Sequence, residues 1–290
     1  TAAAAAIVVS LTAPAHAMKI QSVKSEKGIE AWLVQEKAVP LIALRFVFEG
    51  GSAQDPAGKE GVANFLTTML DEGAGDLAAE AFQTKVEDLA ARISFDAGRD
   101  NFLGSFQTLT ENREPAAALL ALALTKPRFD ADAIARMRQQ LSAIIAINDK
   151  DPSKVASQTW YRIAFPDHPY GRPVDGTAKT VGAIGQPDLE DFRARTFAID
   201  TLRVSVVGDI TPAALGPYLD KVFGGLANTA RLRDVPDVAL AVGPRQEIVA
   251  MDVPQSVVQF GNSGLARKDP DFIAASVLNY IIGGGGCIPA

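Results

Sequence analysis

Residues 50–75 read GGSAQDPAGKEGVANFLTTMLDEGAG, and this stretch decides the fold. It opens as a loop of Gly, Asp and Pro, residue types that turn a chain. From Gly61 to Leu70 the apolar residues Val62, Phe65, Leu66, Met69 and Leu70 recur at three- and four-residue spacing. That spacing predicts a helix with one buried face. Gly73 and Gly75 then close it, as glycines close helices elsewhere. Immediately upstream, residues 41–48 (LIALRFVF) are β-branched and aromatic, which predicts a central strand, with residues 32–35 as its hairpin neighbour.

Outward from this strand–loop–helix unit, residues 93–97 and 101–109 predict a hairpin turning at Gly98-Arg99-Asp100. Helices are predicted over 77–91, 114–124, 131–148, 153–165 and 188–197, and a buried strand over 202–207 (LRVSVV). Thr211 is an expected N-cap, with Pro212 at the first helical position of a helix running to Phe223. Strands are expected near 247–251 and 256–260, then a helix near 269–282. The two ends resemble each other: a strand, a glycine-bearing loop, an Asp-Pro pair, an apolar helix and further glycines. The Asp55-Pro56 and Asp269-Pro270 pairs are offset by 269 − 55 = 214 residues, which suggests an internal duplication. The fold expected is α+β, a mainly antiparallel sheet covered by helices on one face over residues 18–226. A linker follows over 227–238, and residues 239–290 form the truncated start of a second, similar domain.

The chain has 290 residues, and 48% of them are hydrophobic, enough for a large core and against a disordered chain. Lys and Arg total 28 against 34 Asp and Glu, a formal charge of -6, so there is no electrostatic footprint for nucleic acid or anionic lipid. One Cys excludes an intrachain disulfide, and two His leave little material for a zinc site built from several His or Cys. Residues 1–17 (TAAAAAIVVSLTAPAHA) join an apolar run, too short to span a bilayer, to an Ala-His-Ala cleavage signal. They read as the remnant of a secretory signal peptide, which places the protein in the periplasm or outside the cell. His168 reads as a turn histidine that docks a loop, and Cys287 as a lone thiol without a partner His. Gly58-Lys59 lacks the flanking Gly and Ser/Thr of a phosphate loop, since Ala53 and Glu60 stand there.

The 50–75 segment resembles the signature region of the insulinase-like M16 zinc peptidases, in which this helix carries His-x-x-Glu-His. The frame is kept in Gly61, Ala63, Phe65, Leu66, Met69 and Leu70. Residues 161–175 (YRIAFPDHPYGRPVD), 202–209 (LRVSVVGD) and the glycine run from 283 resemble further family segments in the same order. The chemistry departs: Asn64 stands at the first His position, Thr67 at the Glu position and Thr68 at the second His position. Helical geometry sets positions 64 and 68 on one face, so two imidazoles there would grip one ion, and the carboxylate between would take a proton from bound water. A neutral amide and a neutral hydroxyl are not the imidazole or thiolate donors that zinc prefers. The family's third ligand is a Glu on a later helix, and Ile144 and Ile145 lie about there.

The resemblance therefore implies a chain that holds no zinc and cleaves nothing alone. It would be the non-catalytic, chamber-forming subunit, or a fragment of one, of an M16-type peptidase. Its expected partners are a zinc-bearing subunit, which supplies the metal, and peptides or unfolded proteins; no membrane span is expected. Members of this type contact substrate through an Arg and a Tyr beyond the glycine loop, and after Gly286 the sequence reads Cys287-Ile288-Pro289-Ala290 without them. A peptide-binding or assembly module with no proteolytic partner is the competing expectation.

Overall fold

The structure, a computed structural model, describes residues 19–238 and 245–284. The expected signal segment 1–17 and Cys287 lie outside the described residues. The elements run β1 (Ile20–Lys24), β2 (Glu30–Gln35), β3 (Leu41–Glu49), α1 (Val62–Thr67), β4 (Gly73–Ala74), β5 (Leu77–Ala78), α2 (Ala79–Asp88), β6 (Arg92–Ala97) and β7 (Asn101–Leu109). Next come α3 (Arg113–Thr125), α4 (Ala131–Asn148), α5 (Pro152–Ala164), α6 (Ala178–Gly182), α7 (Gln186–Thr196), β8 (Arg203–Gly208), α8 (Pro212–Phe223) and α9 (Phe272–Asn279). The chain divides into two compact units: residues up to Ile147 with Pro173–Val235, and Asn148–Arg172 with residues from Pro236 onward. Residues 148–172, expected inside the first domain, thus group with the second unit.

The first unit is an α+β layer. Its six-stranded sheet has the order β1-β2-β8-β3-β7-β6, antiparallel throughout except where β2 runs parallel to β8. Alternation along the strands decides the layering, because successive side chains point to opposite faces. Leu33, Ile42, Leu44, Phe46, Phe48, Phe102, Phe106, Val204 and Val206 are buried on one face against the helices. On the other face Trp32 is 63% and Val207 48% exposed. The register lines up Ser22, Trp32, Ser205, Arg45, Ser105 and Ser94 in one row across that open face. Phe46 is the hub of the core, with ring centroids 5.9 Å from Phe48, 6.4 Å from Phe95 and 5.2 Å from Phe223.

Two expectations are corrected. Residues 32–35 are not the hairpin neighbour of the 41–48 strand, because β8 lies between β2 and β3. The connection ends at Pro40, which has no N–H to close a tight hairpin, and β8, with Val204 and Val206 buried, takes the intervening place. The strands expected near 247–251 and 256–260 do not form: those residues carry no ladder in the second unit. A strand exists only with a neighbour to receive its backbone groups, and among the described residues none lies beside them. The second unit instead holds α5, whose Arg162 pairs with Glu247 at 2.5 Å, a cleft of about 1080 Å³ lined in part by Val155, Trp160, Val257 and Phe260, and α9.

Candidate functional site

The degenerate motif lies on α1. Its buried side is Val62, Ala63, Phe65 and Leu66, continued by Met69 and Leu70, all fully enclosed. Asn64, Thr67 and Thr68 form the opposite, half-buried edge. The frame residues therefore aim these three positions together out of the core, as the spacing requires.

The start of the helix is built by a distant side chain. Asp55, 2% exposed, accepts from Gly61 N–H at 2.8 Å through Oδ2 and from Ala63 N–H at 3.0 Å through Oδ1. It satisfies donors that the first turn leaves open. Gly61 itself has φ 96°, and a Cβ there would lie 2.8 Å from the Asp175 carbonyl oxygen. Both the left-handed backbone and the close approach demand glycine. Burial pushes the Asp55 carboxyl up to about 7, against the opposing pull of the N–H groups it accepts from.

The helix ends early, at Thr67 rather than at residue 70. The Thr67 hydroxyl donates to the Asn64 carbonyl at 2.7 Å, and the Thr68 hydroxyl to the Phe65 carbonyl at 2.8 Å. Such back-bonding competes with regular helix and weakens it. It also commits both hydroxyl protons to the helix's own backbone. Below this point burial raises Asp71, whose side chain and carbonyl receive Gln83 Nε2 at 3.4 and 3.0 Å, and Glu72 pairs with Arg136.

The neighbouring helix is cationic and aliphatic. Arg138 of α4 lies 6.0 Å from the Phe65 ring centroid and donates to the Ile184 carbonyl at 2.7 Å. Asp132, in the first turn, is the one acid on α4. Ile144 is 42% exposed and Ile145 buried where the resemblance places a carboxylate ligand. Among the described residues no group of three or more His, Cys, Asp or Glu could hold a metal ion. The donors present do not fit a catalytic zinc: one amide and two hydroxyls already bonded to carbonyls replace anionic or imidazole ligands, and Thr67, at the position of the general base, carries no carboxylate.

His168 lies in a turn, as expected, but with residues 148–172 it belongs to the second unit and not to the first. Its Nδ1 accepts from Tyr170 N–H at 3.1 Å, which leaves Nε2 to donate to the Pro236 carbonyl at 3.0 Å. Both ring nitrogens are used in holding loops. Sequence reasoning missed the capping role of Asp55, whose only signal was the Asp-Pro pair read as a repeat marker. No helix of the described residues is long and apolar enough to cross a membrane.

A one-sided sheet with a short helix that presents two residues at the spacing of a metal grip defines the metallopeptidase-like class, here without the grip. A family model described as insulinase (peptidase family M16) matches residues 33–178, and one described as the peptidase M16 inactive domain matches residues 183–289. The chain belongs to the M16 family. It is 22% identical over 263 residues to an uncharacterized zinc protease of Rickettsia bellii, covering 91% of this chain and 63% of that protein. It is 22% identical to a non-peptidase homolog of Helicobacter pylori, over 85% of this chain and 57% of the relative. A probable mitochondrial-processing peptidase subunit beta of Schizosaccharomyces pombe is 26% identical over 81% of this chain and 52% of its own length. This chain thus spans between 52% and 63% of these three relatives. Among solved structures, the peptidase M16 inactive domain from Pseudomonas fluorescens superposes with a TM-score of 0.77 at 27% identity, covering 93% of this chain and 65% of that one.

Proposed function

We propose that this chain is a non-catalytic, chamber-forming part of an M16-type peptidase, acting on peptides or unfolded proteins beside a zinc-bearing subunit. The observation that carries the reading is the edge of α1: Asn64, Thr67 and Thr68 keep the positions of a metal motif and none of its donors. The match of residues 183–289 to an inactive-domain model and the likeness to a non-peptidase homolog support it. The uncovered face of the sheet, with Trp32, Arg45 and Val207 exposed, supports a role as a wall. In this reading the chain itself binds no zinc, residues 1–17 direct it to the periplasm or the exterior, and residues 239–290 begin a second, similar domain.

The test is metal content and cleavage. The purified chain, dialysed against zinc-containing buffer and then metal-free buffer, is expected to retain far less than one equivalent of zinc and to leave an unfolded-protein substrate intact. Retention near one equivalent together with chelator-sensitive cleavage would sink the proposal. The second reading, a peptide-binding module without a proteolytic partner, is favoured by the neutral site edge taken alone. Isolation from the source cell separates the two: an M16 subunit with intact His-x-x-Glu-His co-purifies only under the first.

A further inference from the structure

The sequence predicts a linker over 227–238, yet residues 227–233 are bound along the first unit. Ala227 bridges Ala198 in parallel, Ile199 N–H donates to the Ala227 carbonyl at 2.9 Å and Asp200 N–H to the Asn228 carbonyl at 3.2 Å. The Asp200 carboxylate accepts from Ala230 N–H at 3.0 and 3.2 Å, and Arg231 N–H donates to the Arg195 carbonyl at 2.8 Å. Gln54 then takes both backbone groups of one residue: its Oε1 accepts from Arg233 N–H at 2.7 Å and its Nε2 donates to the Arg233 carbonyl at 3.0 Å. A neighbouring strand would make the same pair of bonds. Gln54 is only 4% exposed, so its amide has those partners in place of water. Leu232 lies against Gly50, where a Cβ would come within 2.8 Å of Leu232 Cδ2.

We propose that residues 227–233 are a docked strap and that Gln54 is its latch, an intramolecular docking site that fixes where the chain leaves the first unit. The latch sits on a braced loop. Ser52 N–H donates to the Gly98 carbonyl and Ala53 N–H to the Arg99 carbonyl, both at 2.9 Å, which ties it to the β6–β7 turn. Asp55, the next residue, caps α1. The exit point of the unit, the turn of the edge hairpin and the start of the motif helix therefore meet in one loop, residues 52–55. Glutamine suits the position because it offers one donor and one acceptor at the reach required; glutamate would lose the donor and alanine both. The inference stands on this geometry and does not depend on the role proposed above.

Limited trypsin digestion of the full chain tests it. Arg231 and Arg233 have exposed side chains on a held backbone, and Lys37, in an exposed loop of the same unit, serves as the internal reference. Cleavage after Arg231 and Arg233 relative to Lys37 should be slow in the parent and rise about ten- to thirtyfold in Gln54→Ala, the change in opening equilibrium expected when two hydrogen bonds are lost. Gln54→Met, which keeps length and bulk but neither polar end, should behave as the alanine variant does. An unchanged ratio in Gln54→Ala, or a methionine variant that protects like the parent, overturns the latch. Should Gln54→Ala fail to fold, Arg233→Pro removes the same N–H from the strap side and is read at Arg231: faster cleavage supports the latch, and no change overturns it.

Discussion

The two units answer similar sequence signals differently. In the first, the run at 41–48 becomes the nine-residue strand β3, flanked by β8 and β7, and Phe46 and Phe48 are fully buried. In the second, the alternating apolar residues near 247–251 and 256–260 remain outside any ladder, with Ile248 81%, Val258 79% and Phe260 90% exposed. β-branched and aromatic residues state that a segment fits a half-buried pleated surface; they do not supply the neighbouring backbone. The difference lies in the partners each segment meets.

The largest effect should come from breaking that contrast with one substitution in each unit. Phe46→Ala empties the centre of an aromatic cluster and should cost about 3–5 kcal/mol in denaturant unfolding, enough to unfold a marginal domain. Phe260→Ala removes an exposed ring and should change stability by less than about 0.5 kcal/mol. Equal losses in the two variants would show that the second unit buries Phe260 and that the contrast is false.

The same contrast governs what the sequence reveals. The hairpin of β6 and β7, helix α4 and helix α8 are legible to within a residue or two, because each carries its own signal: a Gly-Arg-Asp turn, an unbroken helical period, and a Thr-Pro start. β1 (IQSVK) is not, since a short edge strand buries only Val23 among its residues and shows almost no pattern. The placing of β8 between β2 and β3 is a long-range choice that no local window contains. The site divides likewise. That Asn64, Thr67 and Thr68 share the half-buried edge is legible because the apolar frame of the helix leaves them out of the core, while their correspondence to a metal motif comes from the family resemblance alone. The Asp55 cap and the Gln54 latch are not, for their partners are set by the loop's path and, for Gln54, by a residue 179 positions away.

A smaller effect sharpens the comparison between the buried start of α1 and its half-buried edge. The Asp55 carboxyl is raised by burial to about 7 from an ordinary value of 3.8. Between those values the folded chain keeps a proton that the unfolded chain releases, so this group's contribution to stability is fully present below about pH 4 and is lost as pH rises through about 7. Integrated from 3.8 to about 7, the loss is on the order of 4 kcal/mol, the pull of the accepted N–H bonds being already contained in it. Urea midpoints of the parent should therefore fall between pH 5 and pH 7.5 relative to those of Asp55→Asn, in which the titration is gone. A midpoint that runs parallel to that of the variant over this interval would mean that the N–H groups outweigh burial and that the cap is ionised throughout.

The smallest effect is expected at the edge itself. The Thr67 and Thr68 hydroxyls each donate to a carbonyl of their own helix, and each side chain is half-buried. Replacing both with alanine relieves the back-bonding and gains helix propensity, about a few tenths of a kcal/mol each, and against this stands the loss of two half-exposed hydroxyl–carbonyl bonds. The double variant should unfold within about 0.5 kcal/mol of the parent, while Phe65→Ala on the buried side of the same helix should lose about 3 kcal/mol or more. Near-neutrality would mean that stability does not fix what stands at these positions, so that the fold keeps the frame of a metal site whether or not its ligands are present. A large loss would make the threonines part of the fold's own construction, and the degenerate motif would then have a structural origin instead of a functional one.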